Sequence, residues 1–504
     1  MDISTTTILS YLVLYSVIWL CFYLLTGRLR SGRRSIRIPP GPSQIPLIGN
    51  LHQIGQKPHR SFAQLSKIYG PLMSVKLGTK LTVLVSSAGV AREVLQTHDR
   101  ICSSRPIPMA ARVLDHHKFS VGWLPASAQW RNIRKMCQEQ IFSTQRLDRS
   151  QGLRQEKLKE LGDYLRDCSR IGKVVDIGEA AFTTSLNLLS RTLFSIDFAS
   201  YDTDSSQELK EIMWAVMKSF GTSNFSDFFP VLQLIGLQGI AREARLSFGK
   251  MFDIFDRIIK KRKLDRGLPS SETKKKDLLE ALLDENIKNE SEFSINVLKH
   301  LLFDLLVAGV DTTAATVEWV MAELLRNPEK LEITREELKR VIGKKENVQE
   351  SDISRLPYLQ AIVKETFRLH PPVPLLMPHK ADEDVEINGY TVPKDTQILI
   401  NAWAIGRDEE TWTQPEMFMP ERFLESEIDV KGMHFELIPF GAGRRICSGL
   451  PLAYRMTHLL VASFIHNIDW KLEGGIKPED LDMDEKVGLT VEKALPLKAS
   501  PTLL

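Results

Sequence analysis

The longest helical pattern in this 504-residue chain runs from Ser294 to Asn327, where Pro328 stops it. A second helical pattern follows at once, from Glu329 to Val341. Amphipathic helical patterns also occupy Gln151–Cys168, Ile177–Leu193, Ser206–Phe220 and Gly239–Leu264, with a shorter one at Val90–Thr97 and another opening at Gln129. Strand signals are few and clustered. Leu72–Ser86 alternates around Gly78-Thr79-Lys80 and predicts a β-hairpin, while Val385–Val392 and Gln397–Ile400 predict short strands. Arg105–Pro125, with its prolines and paired histidines, predicts a loop, and a stretch rich in Lys and Ser up to Lys276 predicts a linker. The expected fold is mainly α with a minor β region, and no compositional break divides the body into separate domains.

Inside the longest helix stands Ala308-Gly309-Val310-Asp311-Thr312-Thr313. An acid and two hydroxyls are costly in a buried helix, and glycine there costs about 1 kcal/mol. The Thr312 hydroxyl can bond back to the Ala308 carbonyl and open the helix locally, leaving a small groove. Ala308 and Gly309 offer a smooth face against which a flat cofactor could lie. The competing reading is a kinked core helix with a solvated acid.

The second chemical motif is Phe440-Gly441-Ala442-Gly443-Arg444-Arg445-Ile446-Cys447-Ser448-Gly449. A cysteine in a glycine-rich turn, with backbone N–H groups free to point at sulfur and an arginine two residues before it, suits a thiolate ligand to haem iron. The competing reading is a buried free cysteine acting as a small hydrophobe. The other cysteines, Cys21, Cys102, Cys137 and Cys168, are far apart and form no CxxC pair, a pattern of a reducing compartment and not of a disulfide framework. The net charge of +3 is too mild to argue for nucleic acid.

Three further features complete the pattern. Glu365-Thr366-Phe367-Arg368 places an acid and a base three apart on one helix face, and Pro420-Glu421-Arg422-Phe423 follows later. Trp130 and Arg134 stand one helical turn apart. Ile8–Leu25 is an almost unbroken apolar run, just long enough to span hydrocarbon, followed by Arg28, Arg30, Arg33, Arg34 and Arg37 and then by Pro39-Pro40-Gly41-Pro42. The sequence thus divides into an anchor (1–26), a basic stop-transfer and proline-rich hinge (27–42) and a body (43–504). A cleaved signal peptide is the alternative to the anchor. Phe228–Leu232 is an apolar patch suited to dipping into a membrane interface.

Together these motifs resemble the cytochromes P450, from Pro39 to about Leu495. Trp123-Leu124-Pro125, Phe142-Ser143, Gln151-Gly152-Leu153-Arg154, Asp176-Ile177-Gly178-Glu179-Ala180-Ala181-Phe182 and Pro451-Leu452-Ala453 resemble one plant clade of microsomal P450s. That clade holds geraniol 8-hydroxylases and mono-, sesqui- and diterpene oxidases. The one departure is Ser448, where the family often has proline.

The resemblance implies the P450 fold, preceded by one transmembrane helix, in a single-pass protein of the endoplasmic reticulum membrane with its catalytic domain in the cytosol. It implies haem b with Cys447 as axial thiolate, and electrons from NADPH through NADPH–cytochrome P450 reductase. Trp130, Arg134, His379 and Arg445 would contact the haem propionates, and Phe440 would shield the sulfur. Thr312 would bond the bound dioxygen and Asp311 relay protons. Glu365, Arg368 and Arg422 would lock the scaffold behind the haem loop. Val113, Phe119, Val121, Leu305, Ala308, Val373, Leu376 and Leu489 would line the substrate pocket. The implied reaction is hydroxylation, once or repeatedly, of a small apolar terpenoid, a monoterpenol or sesquiterpene first. An abietane diterpene, a phenolic or an alkaloid precursor are alternatives, as is a reductase-independent isomerase or dehydratase.

Overall fold

The computed structural model describes residues 7, 10–19, 37–201, 204–221, 225–229, 239–266, 277–343 and 347–504. Its centre is the helix Ile295–Arg326, capped at its start by the Ser294 hydroxyl, which accepts from the Val297 N–H. Nearly every turn is buried, because helices surround it: Ile177–Phe194, Pro357–Leu369 and Leu450–Ile465 all pack against it. Burial from all sides explains why the pattern is apolar around the whole helix and not along one stripe. It is the one described helix long and apolar enough to cross a membrane, and it is the core of the body.

The β region sits to one side. The hairpin Leu72–Leu77/Lys80–Val85 pairs in parallel with Gln397–Ile400, which in turn pairs antiparallel with His379–Lys380. Val385–Val392 is not one strand but a hairpin of Val385–Ile387 and Tyr390–Val392. Asn388 and Gly389 both take positive φ, the Asn-Gly chemistry of a tight turn. Arg105–Pro125 is not wholly loop either. It carries two short helical pieces, Met109–Arg112 and Val113–Lys118, kinked by positive φ at Leu114 and Asp115.

Near the C-terminus the hairpin Glu485–Val487/Val491–Lys493 drives its tip, Gly488-Leu489-Thr490, into the body. The tip meets the end of the helix Asp204–Gly221 backbone to backbone. A Cβ added at Gly221 would stand 1.9 Å from the Gly488 carbonyl carbon, and the Leu489 N–H donates to the Met217 carbonyl at 2.9 Å.

Of the anchor expected over 1–26, the helix Ser10–Trp19 is described, with Tyr11, Leu12 and Tyr15 exposed, and the rest lies largely outside the described residues, as do the linker up to Lys276 and the patch residues Pro230–Leu232. Phe228 of that patch is buried with Phe62, Met73 and Val75, so it serves the core. The body also starts before residue 43: the Pro39 carbonyl accepts from the Ser74 hydroxyl and the Pro40 carbonyl from the Ser74 N–H, each at 2.7 Å.

Candidate active site

The cysteine loop forms one wall of an internal cavity of about 320 Å³. Gly441 and Gly443 turn the chain at φ +69° and +64°, and a Cβ at Gly443 would sit 1.9 Å from the Leu95 carbonyl oxygen. The Cys447 N–H donates to the Phe440 carbonyl at 3.0 Å, closing the loop. Phe440 packs edge-on against Phe367, their ring centres 5.2 Å apart. The sulfur faces the cavity, while Cys102, Cys137 and Cys168 are buried in the core. Burial pushes the Cys447 thiol up; the N–H groups of Gly449 and Leu450 and the Arg134 guanidinium oppose this by favouring the thiolate.

Leu305, Ala308, Gly309 and Thr312 of the long helix line the cavity as well. The Thr312 hydroxyl donates to the Ala308 carbonyl at 2.6 Å, and the Thr313 and Thr316 hydroxyls donate four residues back in the same way. The back-bond expected of the motif is therefore present, while the helix runs without interruption from Ile295 to Arg326 and shows no local opening. The role expected of Gly309 changes. A Cβ there would lie 2.6 Å from Leu189 Cδ1, so the missing side chain lets a neighbouring helix approach, not only a flat ligand. Asp311 also departs from its expected place. Its side chain is buried outside the cavity lining and accepts from the Thr490 hydroxyl of the C-terminal hairpin. Burial, with the Glu492 carboxyl beside it, holds Asp311 well above the usual carboxylate range.

Cations gather on one rim of the cavity. Arg105, Arg134, His379 and Arg445 all line it. Arg445 donates from Nε to the Ser103 carbonyl at 2.8 Å and from Nη2 to the Leu124 carbonyl, and its buried Nη1 has no partner. Arg105 donates from Nη1 to the Met377 and Pro378 carbonyls, both at 2.8 Å, and its buried Nε has none. Burial and the Arg134 charge push Arg445 down to about 10, and burial with Arg445 and Arg134 pushes Arg105 well down. His379 is neutral for the same reasons, burial first and then Arg105. Its Nδ1 donates to the Cys102 carbonyl at 2.8 Å, which leaves Nε2 toward the rim. Trp130 does not reach the cavity. Its Nε1 donates to the Val121 carbonyl at 3.1 Å and its ring lies 4.3 Å under the Arg445 guanidinium, so it carries that arginine instead of donating to a ligand.

Of the expected pocket residues, Val121, Leu305, Ala308, Val373, Leu376 and Leu489 line the cavity. Val113 and Phe119 do not. Val113 is core, and Phe119 stacks on His300 with ring centres 5.1 Å apart, because the kinked helical piece turns both away. Sequence reading missed Trp123, Phe220, Arg105 and the pair Ser120–Asp304. Ser120 Oγ and the Val121 N–H both donate to Asp304 at 2.8 Å, and His116 Nε2 stands 3.1 Å from its other oxygen. Asp304 lies one helical turn before Ala308, so the same helical face that gave Ala308 and Thr312 points to it.

Behind the cysteine loop, Glu365 and Arg368 form a bidentate pair at 2.7 Å, fully buried, and Arg422 Nε reaches Glu365 at 3.2 Å. Arg368 also donates to the carbonyls of Gly406, Pro415 and Met417. One side chain thereby holds three carbonyls of the loop between residues 406 and 417.

These residues fit a haem. Cys447 supplies a soft anionic donor with N–H groups on its sulfur. Buried guanidinium groups with unpartnered N–H positions, and with no carboxylate ion-paired to them among the described residues, suit two propionates. The opposite face is the long helix at Ala308 and Thr312.

A sequence model of the cytochrome P450 family matches residues 39–497. The chain is 61% identical to cytochrome P450 76T24 of Catharanthus roseus over 497 residues, 99% of each chain. It is 48% identical to a geraniol 8-hydroxylase of Swertia mussotii (94% of this chain, 95% of the relative) and 48% identical to the ferruginol synthase of Isodon rubescens (96% and 98%).

Proposed function

The chain belongs to the cytochrome P450 family, and we propose that, as a monooxygenase of that family, it hydroxylates a small apolar plant terpenoid, with a monoterpenol or sesquiterpene first in line and an abietane diterpene second. The observation that carries this reading is a cavity walled by Val121, Leu305, Ala308, Val373, Leu376 and Leu489 between Cys447 and Thr312, with its cations confined to one rim. An apolar enclosure with few polar groups orients its ligand by shape. Relatives named for geraniol hydroxylation and ferruginol synthesis support the same class. Among the polar wall residues away from that rim, which also include Ser185, Thr312 and Thr313, the Ser120–Asp304 pair brings a carboxylate; it favours a substrate with a hydroxyl or amine, so a phenolic or alkaloid precursor is the alternative to a terpenoid.

Bound haem supplies dioxygen activation, and the family draws its electrons from a redox partner, here proposed to be NADPH–cytochrome P450 reductase. The protein does the rest. Cys447 would hold the iron, Arg134, Arg445, Arg105 and His379 would hold the propionates, and Phe440 would keep water from the sulfur. Thr312 would present its hydroxyl oxygen to the cavity while its O–H donates to the Ala308 carbonyl.

Incubation of the full chain with reductase, NADPH and a panel of geraniol, sesquiterpene olefins, an abietane, a phenolic and an amine tests the substrate class. Oxygenated products from at least one terpenoid are expected, identified by mass spectrometry. Turnover restricted to phenolic or amine substrates would overturn the terpenoid reading.

We also propose that residues 1–26 anchor the protein in the endoplasmic reticulum membrane, with the body in the cytosol. Deleting Met1–Arg34 is expected to release much of the protein from membranes and leave the haem absorption spectrum unchanged, since packing onto the body begins at Pro39. Loss of haem on truncation would assign the segment to the folded core.

A further inference from the structure

The turn Ser120–Leu124 closes on itself, with the Leu124 N–H donating to the Ser120 carbonyl at 2.9 Å and the Gly122 N–H to Ser120 Oγ at 3.1 Å. Its start is fastened to the long helix, where Asp304 Oδ2 accepts from Ser120 Oγ and from the Val121 N–H, both at 2.8 Å. Its end is fastened to the cysteine loop, whose Arg445 donates from Nη2 to the Leu124 carbonyl. A second tie to that arginine passes through Trp130. The Val121 carbonyl accepts from the indole N–H at 3.1 Å, and the indole face carries the Arg445 guanidinium at 4.3 Å. Between the fastenings, Val121, Gly122 and Trp123 are cavity wall. The same five residues therefore border whatever fills the cavity and hold the arginine at its rim.

The guanidinium turns this adjacency into a coupling. It is planar and rigid, so a partner on one nitrogen fixes the direction of the others. Nε and Nη2 already lie on the Ser103 and Leu124 carbonyls, and the buried Nη1 is the position left for an anion. A propionate on Nη1 stiffens the bond to Leu124 and the turn behind it. An occupant seated on Val121 and Trp123 stiffens the same turn from the cavity side. Ordering the turn costs conformational entropy once, so the first group to bind meets that cost and the second does not. We propose that the turn Ser120–Leu124 couples the substrate wall to the haem rim, and that Asp304 and Trp130 are the positioning residues that hold it. An occupant of the cavity then tightens the grip on haem, and haem tightens the grip on the occupant by the same factor.

This coupling rests on the haem-protein reading but not on the choice of a terpenoid, so one measurement uses an occupant and the other does not. The first is haem transfer from the full-length holoenzyme to apomyoglobin, with and without a saturating amount of whichever member of the substrate panel shifts the haem absorption band. In the wild type the occupant is expected to slow haem loss at least about fivefold. Trp130→Phe keeps an aromatic face under Arg445 but leaves the Val121 carbonyl without its donor, and Asp304→Leu frees the Val121 N–H. Both are expected to lose most of the slowing. Asp304→Asn, whose side-chain oxygen still accepts from Val121, is expected to keep it. The second measurement is deuterium exchange of the occupant-free holoenzyme, where Trp130→Phe is expected to raise exchange in peptides covering 120–124 and leave the helix Ile295–Arg326 unchanged. No slowing in the wild type, or equal slowing in Trp130→Phe, would overturn the proposal. If no panel member shifts the band, the substrate reading fails and the exchange result decides: wild-type exchange at 120–124 in Trp130→Phe then overturns the coupling. Should Trp130→Phe fail to hold haem, Asp304→Leu against Asp304→Asn gives the same comparison, and equal behaviour of those two overturns it.

Discussion

Cys447→Ser is expected to abolish both the thiolate-specific absorption band of the reduced, CO-bound protein and all NADPH-dependent product. The loop should survive the change. Its shape is set by the left-handed glycines, by the Cys447 N–H bond to the Phe440 carbonyl and by Arg445 on Ser103 and Leu124, and none of these involves the sulfur. What is lost is the donor. The N–H groups of Gly449 and Leu450 favour an anion at this atom, and a thiolate is reached far more readily than an alkoxide. A serine hydroxyl in the same place remains neutral and hard. Thermal unfolding close to that of the wild-type apoprotein, together with loss of the band, is the expected pair of results. A persisting band would remove Cys447 from the site.

Arg368→Ala carries the second large effect, on stability. The substitution strips Glu365 of a bidentate partner in a fully buried place and frees the carbonyls of Gly406, Pro415 and Met417. Breaking a buried pair from one side costs about 3–5 kcal/mol, because the remaining charge has nowhere to go. Arg422 and the Met419 N–H still touch Glu365, so the loss should fall short of leaving it wholly unpaired. The measurable results are a lower urea midpoint and haem content well below one per chain. Arg368→Lys should rescue little, since a point ammonium cannot make the forked pair and reach three carbonyls as well. A wild-type midpoint in Arg368→Ala would show that the loops are held by packing alone.

Much of this architecture was legible in the sequence. The helix Ile295–Arg326 follows its apolar pattern to within a residue at each end, because Ser294 and Pro328 punctuate it. The Leu72–Val85 hairpin follows from strict alternation. Less legible were elements whose signals are short or shared. Asn388-Gly389 is a turn signal inside a run whose apolar pattern reads as one strand, and the helix Leu450–Ile465, with Pro451 in its first turn, starts so soon after Cys447 that the loop motif masks it. The site divided along the same line. Residues fixed by a spacing, such as Cys447, Thr312, Glu365 and Arg368, fell where the pattern put them. Residues whose direction depends on tertiary packing did not. Asp311 turned away from the cavity because the Thr490 hydroxyl, far along the chain, offered its carboxyl a better partner than an apolar wall. Trp130 spent its N–H on Val121, and Val113 and Phe119 turned with the kink at Leu114 and Asp115.

The glycine at the end of the Asp204–Gly221 helix carries a consequence beyond packing. With no side chain at Gly221, the hairpin tip seats against bare backbone, and its depth is fixed by that contact. Leu489 on one side of the tip shapes the substrate wall, while Thr490 on the next position holds Asp311. An alanine at 221 would have to lift both at once. Enlarging the cavity by that route would shift the Thr490 hydroxyl on Asp311 with the same step, so the cavity's width and the setting of that buried acid share a single adjustable depth.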